Sequence, residues 1–195
     1  MEAFKISVKL FVTRDTFAPA EFVPVFHRWI QEHVLEDHLL IDVADYAHVP
    51  AGPGTLLVSH EANIYMDRGG NRLGLLYQRK TPLDGSFTDR LRGVLASTLK
   101  VAAKLQEEPG LQGRLEFRTN EISIRLNDRL LAPNTAATFE QVRGDVQAVA
   151  DQLFGKGQAT VEHAGAANEL FEARIKTATV ANVAELLAKV SPVGV

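Results

Sequence analysis

The sequence predicts an α+β fold: an antiparallel or mixed sheet of about seven to nine strands, with four helices packed mainly on one side. Three observations predict it. Strand-like segments follow one another in neighbouring pairs instead of alternating singly with helices, which favours antiparallel pairing. Four further segments repeat apolar residues at helical spacing. Finally, 46% hydrophobic and 23% charged residues over a length of 195 are enough to build a real core.

Each element has its own warrant. In KISVKLFV, residues 5–12, Ile6, Val8, Leu10 and Val12 share one face and Lys5, Ser7 and Lys9 the other, the pattern of a half-buried strand. From Glu21 to Leu35 an apolar stripe runs through Phe22, Val23, Phe26, Trp29, Ile30 and Val34. Pro24 fits only in the first turn, so the helix should begin near Ala20. LLIDVAD, 39–45, is nearly continuous in apolar residues and reads as a central strand.

Two strands are expected at 55–67 and 73–79, joined by RGGN with Gly69 and Gly70 at positive φ. Ser86 and Asp89 stand at capping-box spacing ahead of a helix that Pro109-Gly110 ends. In RLEFRTNEISIRL, 114–126, the apolar phase shifts by one between Phe117 and Ile122. A hairpin turning at Thr119-Asn120, with Arg118 opposite Glu121, accommodates that shift. Asn134 or Thr135 caps a third helix closing at Gly155; strands at 159–163 and 169–176 and a helix over 180–190 follow. The unit of a hairpin followed by a helix would then recur from 55, 114 and 159. The chain reads as one domain, with a two-lobed division near residue 110 as the alternative.

Composition excludes several chemistries. Without cysteine there is no disulfide, thiolate metal site, iron–sulfur cluster or cysteine nucleophile. A formal net charge of −3 argues against a general nucleic-acid surface. MEAFKISVKLFV lacks the pattern of a secretory signal and no apolar run is long enough to span a membrane, so a soluble cytoplasmic protein without membrane partners is expected.

The candidate site is the stretch from Asp45 to Gly54, a loop just beyond the expected central strand, where loops are free to specialise. Asp45, Tyr46, His48, Gly52 and Gly54 are its candidate ligand-binding residues. Asp45 with His48 has the composition of an orienter and base. Gly52-Pro53-Gly54 leads into a strand rather than a helix N-terminus, and so reads as a rigid corner instead of a phosphate cradle. His60 shares parity with Leu56, Val58, Ala62, Ile64 and Met66, which predicts an inward ring that cannot act together with its neighbour Glu61. Asp42, in an apolar strand, would need a partner if buried. His27 and His33 are read as rim and core of the first helix.

Three functional expectations follow. The first is a non-catalytic small-molecule-binding or self-assembling module that uses the 45–54 loop face, with a small-molecule ligand and a homo-oligomer expected and no cofactor named. The second is an enzyme with acid/base or metal-assisted chemistry at His48, His60 and Asp45 or Asp42; no metal site is indicated by spacing. The third, disfavoured by net charge, is nucleic-acid binding through the 68–80 hairpin with Arg68, Arg72, Arg79 and Lys80.

Overall fold

A computed structural model describes residues 1–49 and 52–190. It contains four helices and one antiparallel sheet of eight strands, in the order β2-β3-β4-β5-β1-β6-β8-β7. The strands are β1 (Ile6–Val12), β2 (Leu40–Tyr46), β3 (Gly54–Ser59), β4 (Ala62–Asp67), β5 (Gly74–Arg79), β6 (Phe117–Leu126), β7 (Ala159–Ala164) and β8 (Phe171–Thr177). The helices are α1 (Phe22–Glu32), α2 (Phe87–Glu107), α3 (Ala136–Phe154) and α4 (Val183–Val190).

One apolar cluster joins the buried sides of all four helices to a single face of the sheet, through Ile6, Val8 and Leu10 of β1, Leu57, Ile64, Leu75, Ile122 and Ile175. Alternation sends the intervening residues to the opposite face, and none of Ser7, Lys9, Leu56, Tyr65, Leu76 or Arg125 belongs to that cluster. Among the described residues the helices therefore cover one face and leave the other without a helical layer.

Several local expectations hold. Pro24 lies in the first turn of α1 after a short 3-10 turn at Pro19–Glu21. Ser86 and Asp89 form the capping box of α2. Thr135 rather than Asn134 caps α3, its Oγ1 accepting from the Thr138 N–H at 3.2 Å. In the turn before β5 the expectation holds for Gly70 and is corrected for Gly69: Gly70 and Asn71 take the positive φ angles.

Five further readings are corrected. β1 is buried along its whole length, because it lies inside the sheet between β5 and β6; Ser7 and Lys9 are covered by neighbouring side chains. β2, expected at the centre, is an edge strand; Leu39, just before it, and its own Ile41 are 66% and 57% exposed. Hydrophobicity alone cannot separate a central strand from an apolar edge. The span 55–67 is two strands, not one: Val58 pairs with Asn63, so His60 and Glu61 form a tight turn. The turn carries no Gly, Pro, Asn or Asp, which is why composition did not mark it.

The span 114–126 shows the reverse error. It contributes one long strand, β6, and the phase shift is absorbed by an irregularity in its pairing with β1, where Val12 faces Phe117 and Leu10 faces Ile122. Phe117 and Thr119 are buried before the shift, Ile122, Ile124 and Leu126 after it. The hairpin-and-helix unit thus does not recur from 114. Lastly, His33 is an exposed left-handed cap ending α1 (φ 51°), not a core residue.

Candidate functional site

Tyr46 ends β2, and its ring stacks on that of exposed His48, with centroids 6.4 Å apart. Asp45, on the same strand, accepts the Ala47 N–H at 2.8 Å. Gly54 opens β3 at φ +67°, where an added Cβ would lie 2.0 Å from the Met66 carbonyl oxygen, so the corner admits only glycine. A Cβ on Gly52 would meet Val49 at 2.7 Å. Pro50 and Ala51 of this loop lie outside the described residues. Asp42 is exposed on the edge strand, its Oδ1 accepting from the Val43 N–H, so burial imposes no partner on it.

The inward orientation expected of His60 is overturned: the residue is exposed at the β3–β4 turn, and its backbone N–H donates to the Leu39 carbonyl. His48 precedes β3 and His60 follows it. Six residues of extended chain separate the two ends, roughly 17 Å at ~3.3 Å per step, so the structure does not bring these histidines to one substrate atom. Among the described residues no group of three or more His, Asp or Glu is placed to hold a metal ion.

Two of the arginines of the basic hairpin are engaged by carboxylates from other parts of the chain. Arg68 makes a two-pronged pair with Asp15, both contacts at 2.7 Å, and Arg72 another with Glu121 at 2.8 and 2.6 Å while lying over the Phe11 ring.

The helix-free face holds what the sequence did not reveal. Cross-strand register sets Asn63 (β4), Gln78 (β5), Ser7 (β1), Arg125 (β6) and Glu172 (β8) in one row. The next row runs Leu56, Tyr65, Leu76, Lys9, Ser123 and Arg174. Over these rows lies a cavity of about 300 Å³ lined by Ser7, Leu56, Tyr65, Leu76, Gln78, Arg125, Asn127 and Leu170, with Tyr46 and Pro53 from the loop side. The two ends of the expected loop, Tyr46 and Pro53, and the row thus meet at one cavity.

Hydrogen bonding in this cavity leaves donors uncommitted. The Tyr65 hydroxyl accepts from Asn63 Nδ2 at 3.1 Å and donates to Gln78 Oε1 at 3.0 Å, which leaves the Gln78 NH2 group without a partner among the described residues. Arg125 uses only Nε, donating to Glu172 Oε2 at 2.9 Å. Ser7 Oγ accepts a long bond of 3.4 Å from Asn127 Nδ2. Burial would raise the Glu172 carboxyl, but Arg125 and Arg174 outweigh it, and the net shift is below the ordinary carboxylate value. Glu172 is therefore an anion facing two guanidinium groups.

One row away, Lys9 is fully buried, its Nζ donating to Asp67 and to the Gly69 carbonyl. Burial pulls this amine below its ordinary range, more than Asp67 restores it. Gly74 admits the lysine stem: a Cβ there would stand 2.9 Å from Lys9 Cε and 2.5 Å from the Leu10 carbonyl.

A second cavity, about 400 Å³, opens on the helical side between the segment after α1 and helix α2, and His38 donates or accepts there with the core Tyr77 hydroxyl at 2.8 Å. Four of its charged groups are matched in pairs, Asp37 with Lys100 and Glu107 with Lys104, and Glu36 is the further carboxylate in its lining. The helix-free face is the stronger candidate, because its polar groups remain open to a ligand. A polar residue at every second position of a strand reads as an ordinary solvent face. Only strand order reveals that Ser7, Gln78 and Arg125 are neighbours.

No protein-family model, no curated protein and no solved structure matches this chain.

Proposed function

We propose that the protein is a non-catalytic small-molecule-binding module whose site is the cavity on the helix-free sheet face, beside the 45–54 loop. One observation carries this reading: a row of polar side chains with open hydrogen-bonding capacity lines an open cavity next to an apolar floor of Leu56 and Leu76, the mixture that ligand pockets present. Thermal-shift measurements against a metabolite panel test it, with Leu76→Trp as a variant that fills the cavity. Ligands that raise the melting temperature of the wild type and not of the folded variant support the site; equal shifts in both refute it.

Self-assembly is a second reading, favoured by Ile41 exposed on the edge strand β2 and Leu39 exposed just before it. Light scattering checks it directly. An oligomer that Ile41→Lys converts to a monomer supports the edge as the interface, and a wild-type monomer removes the idea.

A further inference from the structure

We propose that the cavity takes a monoanionic carboxylate ligand with an apolar body, the carboxylate seated over Ser7 between Arg125 and Gln78. The inference deepens the binding reading above and rests on it. It follows from counting the hydrogen-bonding groups that the cavity leaves open.

Ser7 pairs in register with Gln78 on one side and Arg125 on the other. Adjacent strands run about 4.8 Å apart, so the two long side chains flank Ser7 within reach of one small group. Arg125 keeps its terminal nitrogens, since Nε alone is engaged by Glu172. Gln78 keeps its NH2 group, because its oxygen is fixed as the acceptor of the Tyr65 hydroxyl. Ser7, only 2% exposed, donates its hydroxyl to no group among the described residues. Three sets of donors thus converge; the Gln78 oxygen and the Tyr65 hydroxyl are engaged with each other, and the one lining amide acceptor left open among the described residues is the oxygen of Asn127, whose Nδ2 is the end bonded to Ser7.

Charge narrows the class. Arg125 and Arg174 both pair with Glu172, and Arg174 also reaches Glu121, which pairs with Arg72; three guanidinium groups against two carboxylates leave an excess of one positive charge in this network. A planar carboxylate matches both the guanidinium fork and that excess. A phosphate dianion would exceed it. Away from Ser7 the walls are Leu76, Leu56, Pro53 and Tyr46, which accept an aromatic or alkyl body.

Isothermal titration with matched probes tests the assignment at low salt and neutral pH: 4-phenylbutyrate, indole-3-acetate and octanoate, their primary amides, and phenyl phosphate. At least one carboxylate should bind about tenfold or more tightly than its own amide and than phenyl phosphate. Arg125→Gln should remove that preference while leaving weak amide binding in place, and Arg125→Lys, which keeps the charge but not the fork, should retain part of it. Circular dichroism establishes that both variants are folded. Amides binding as tightly as carboxylates would overturn the anion assignment and leave the binding site standing, and so would a preference for phenyl phosphate. A carboxylate preference that survives in folded Arg125→Gln would place the anion elsewhere and overturn the assignment. No binding by any probe would overturn the carboxylate assignment, whereas failure of the cavity-filling comparison above would remove the site itself.

Discussion

At the scale of single residues, the helix-free face is held by ion pairs whose value depends on burial. Lys9 and Asp67 are both buried, and removing one partner leaves the other charge without compensation in a poorly solvated place. Lys9→Met should therefore destabilise the fold by about 3 kcal/mol or more in urea unfolding. The double change Lys9→Met with Asp67→Leu should be milder than the sum of the two single changes, since each single variant strands the same pair. A loss near zero for Lys9→Met would show that the pair is not formed. Glu172 makes a pH-dependent contribution. Its folded-state value lies below the ordinary 4.5, so its stabilisation is complete above that pH and is lost as pH falls through the lowered folded value. Glu172→Gln should cost about 2 kcal/mol at pH 7, and the gap to the wild type should close as the pH drops below 4.5. A gap that stays constant down to acid pH would contradict the pairing with Arg125 and Arg174.

At the scale of elements, legibility depended on whether a signal was local. Helix ends were readable because a cap such as Ser86 with Asp89 is complete within four residues, and the corner at Gly54 was readable as rigid from its glycines. Gly54→Ala should cost about 3 kcal/mol or more, combining a strained left-handed φ with a Cβ driven onto the Met66 carbonyl; a tolerated alanine would mean that β3 begins differently. Strand identity was less readable, because parity is a relative signal. The turn at His60-Glu61 reverses which residues face the helices, so Leu56 and Val58 share a face with Tyr65 and not with Ile64. Reading through it as one strand turned His60 inward and hid the cavity floor. The irregularity in β6 imitates a turn for the same reason, since both shift the apolar phase by one. The candidate site was legible only at its rim, Tyr46 and the Gly52–Gly54 corner. Ser7, Gln78 and Arg125 lie far apart in sequence and become a site only through strand order, which no local pattern encodes.

At the scale of the whole molecule, the two halves of the chain share one seam. β1, at the N-terminus, pairs with β5 of its own half and with β6 across the connection near residue 110, and the apolar cluster runs unbroken from Trp29 to Leu186. Trp29 is tied across the chain as well: its indole N–H donates to Glu108, which also pairs with Arg28. If either half opened alone, β1 or β6 would lose a partner on one side and the cluster would be cut through its middle. That cost falls on both halves together, which is the physical condition for a single cooperative transition. The sole tryptophan lies in the first half, whereas far-ultraviolet dichroism reports helices of both. Urea unfolding followed by the two signals should therefore give coincident midpoints. Tryptophan fluorescence that changes at clearly lower or higher urea than the dichroism would instead divide the chain near residue 110 into separately unfolding lobes.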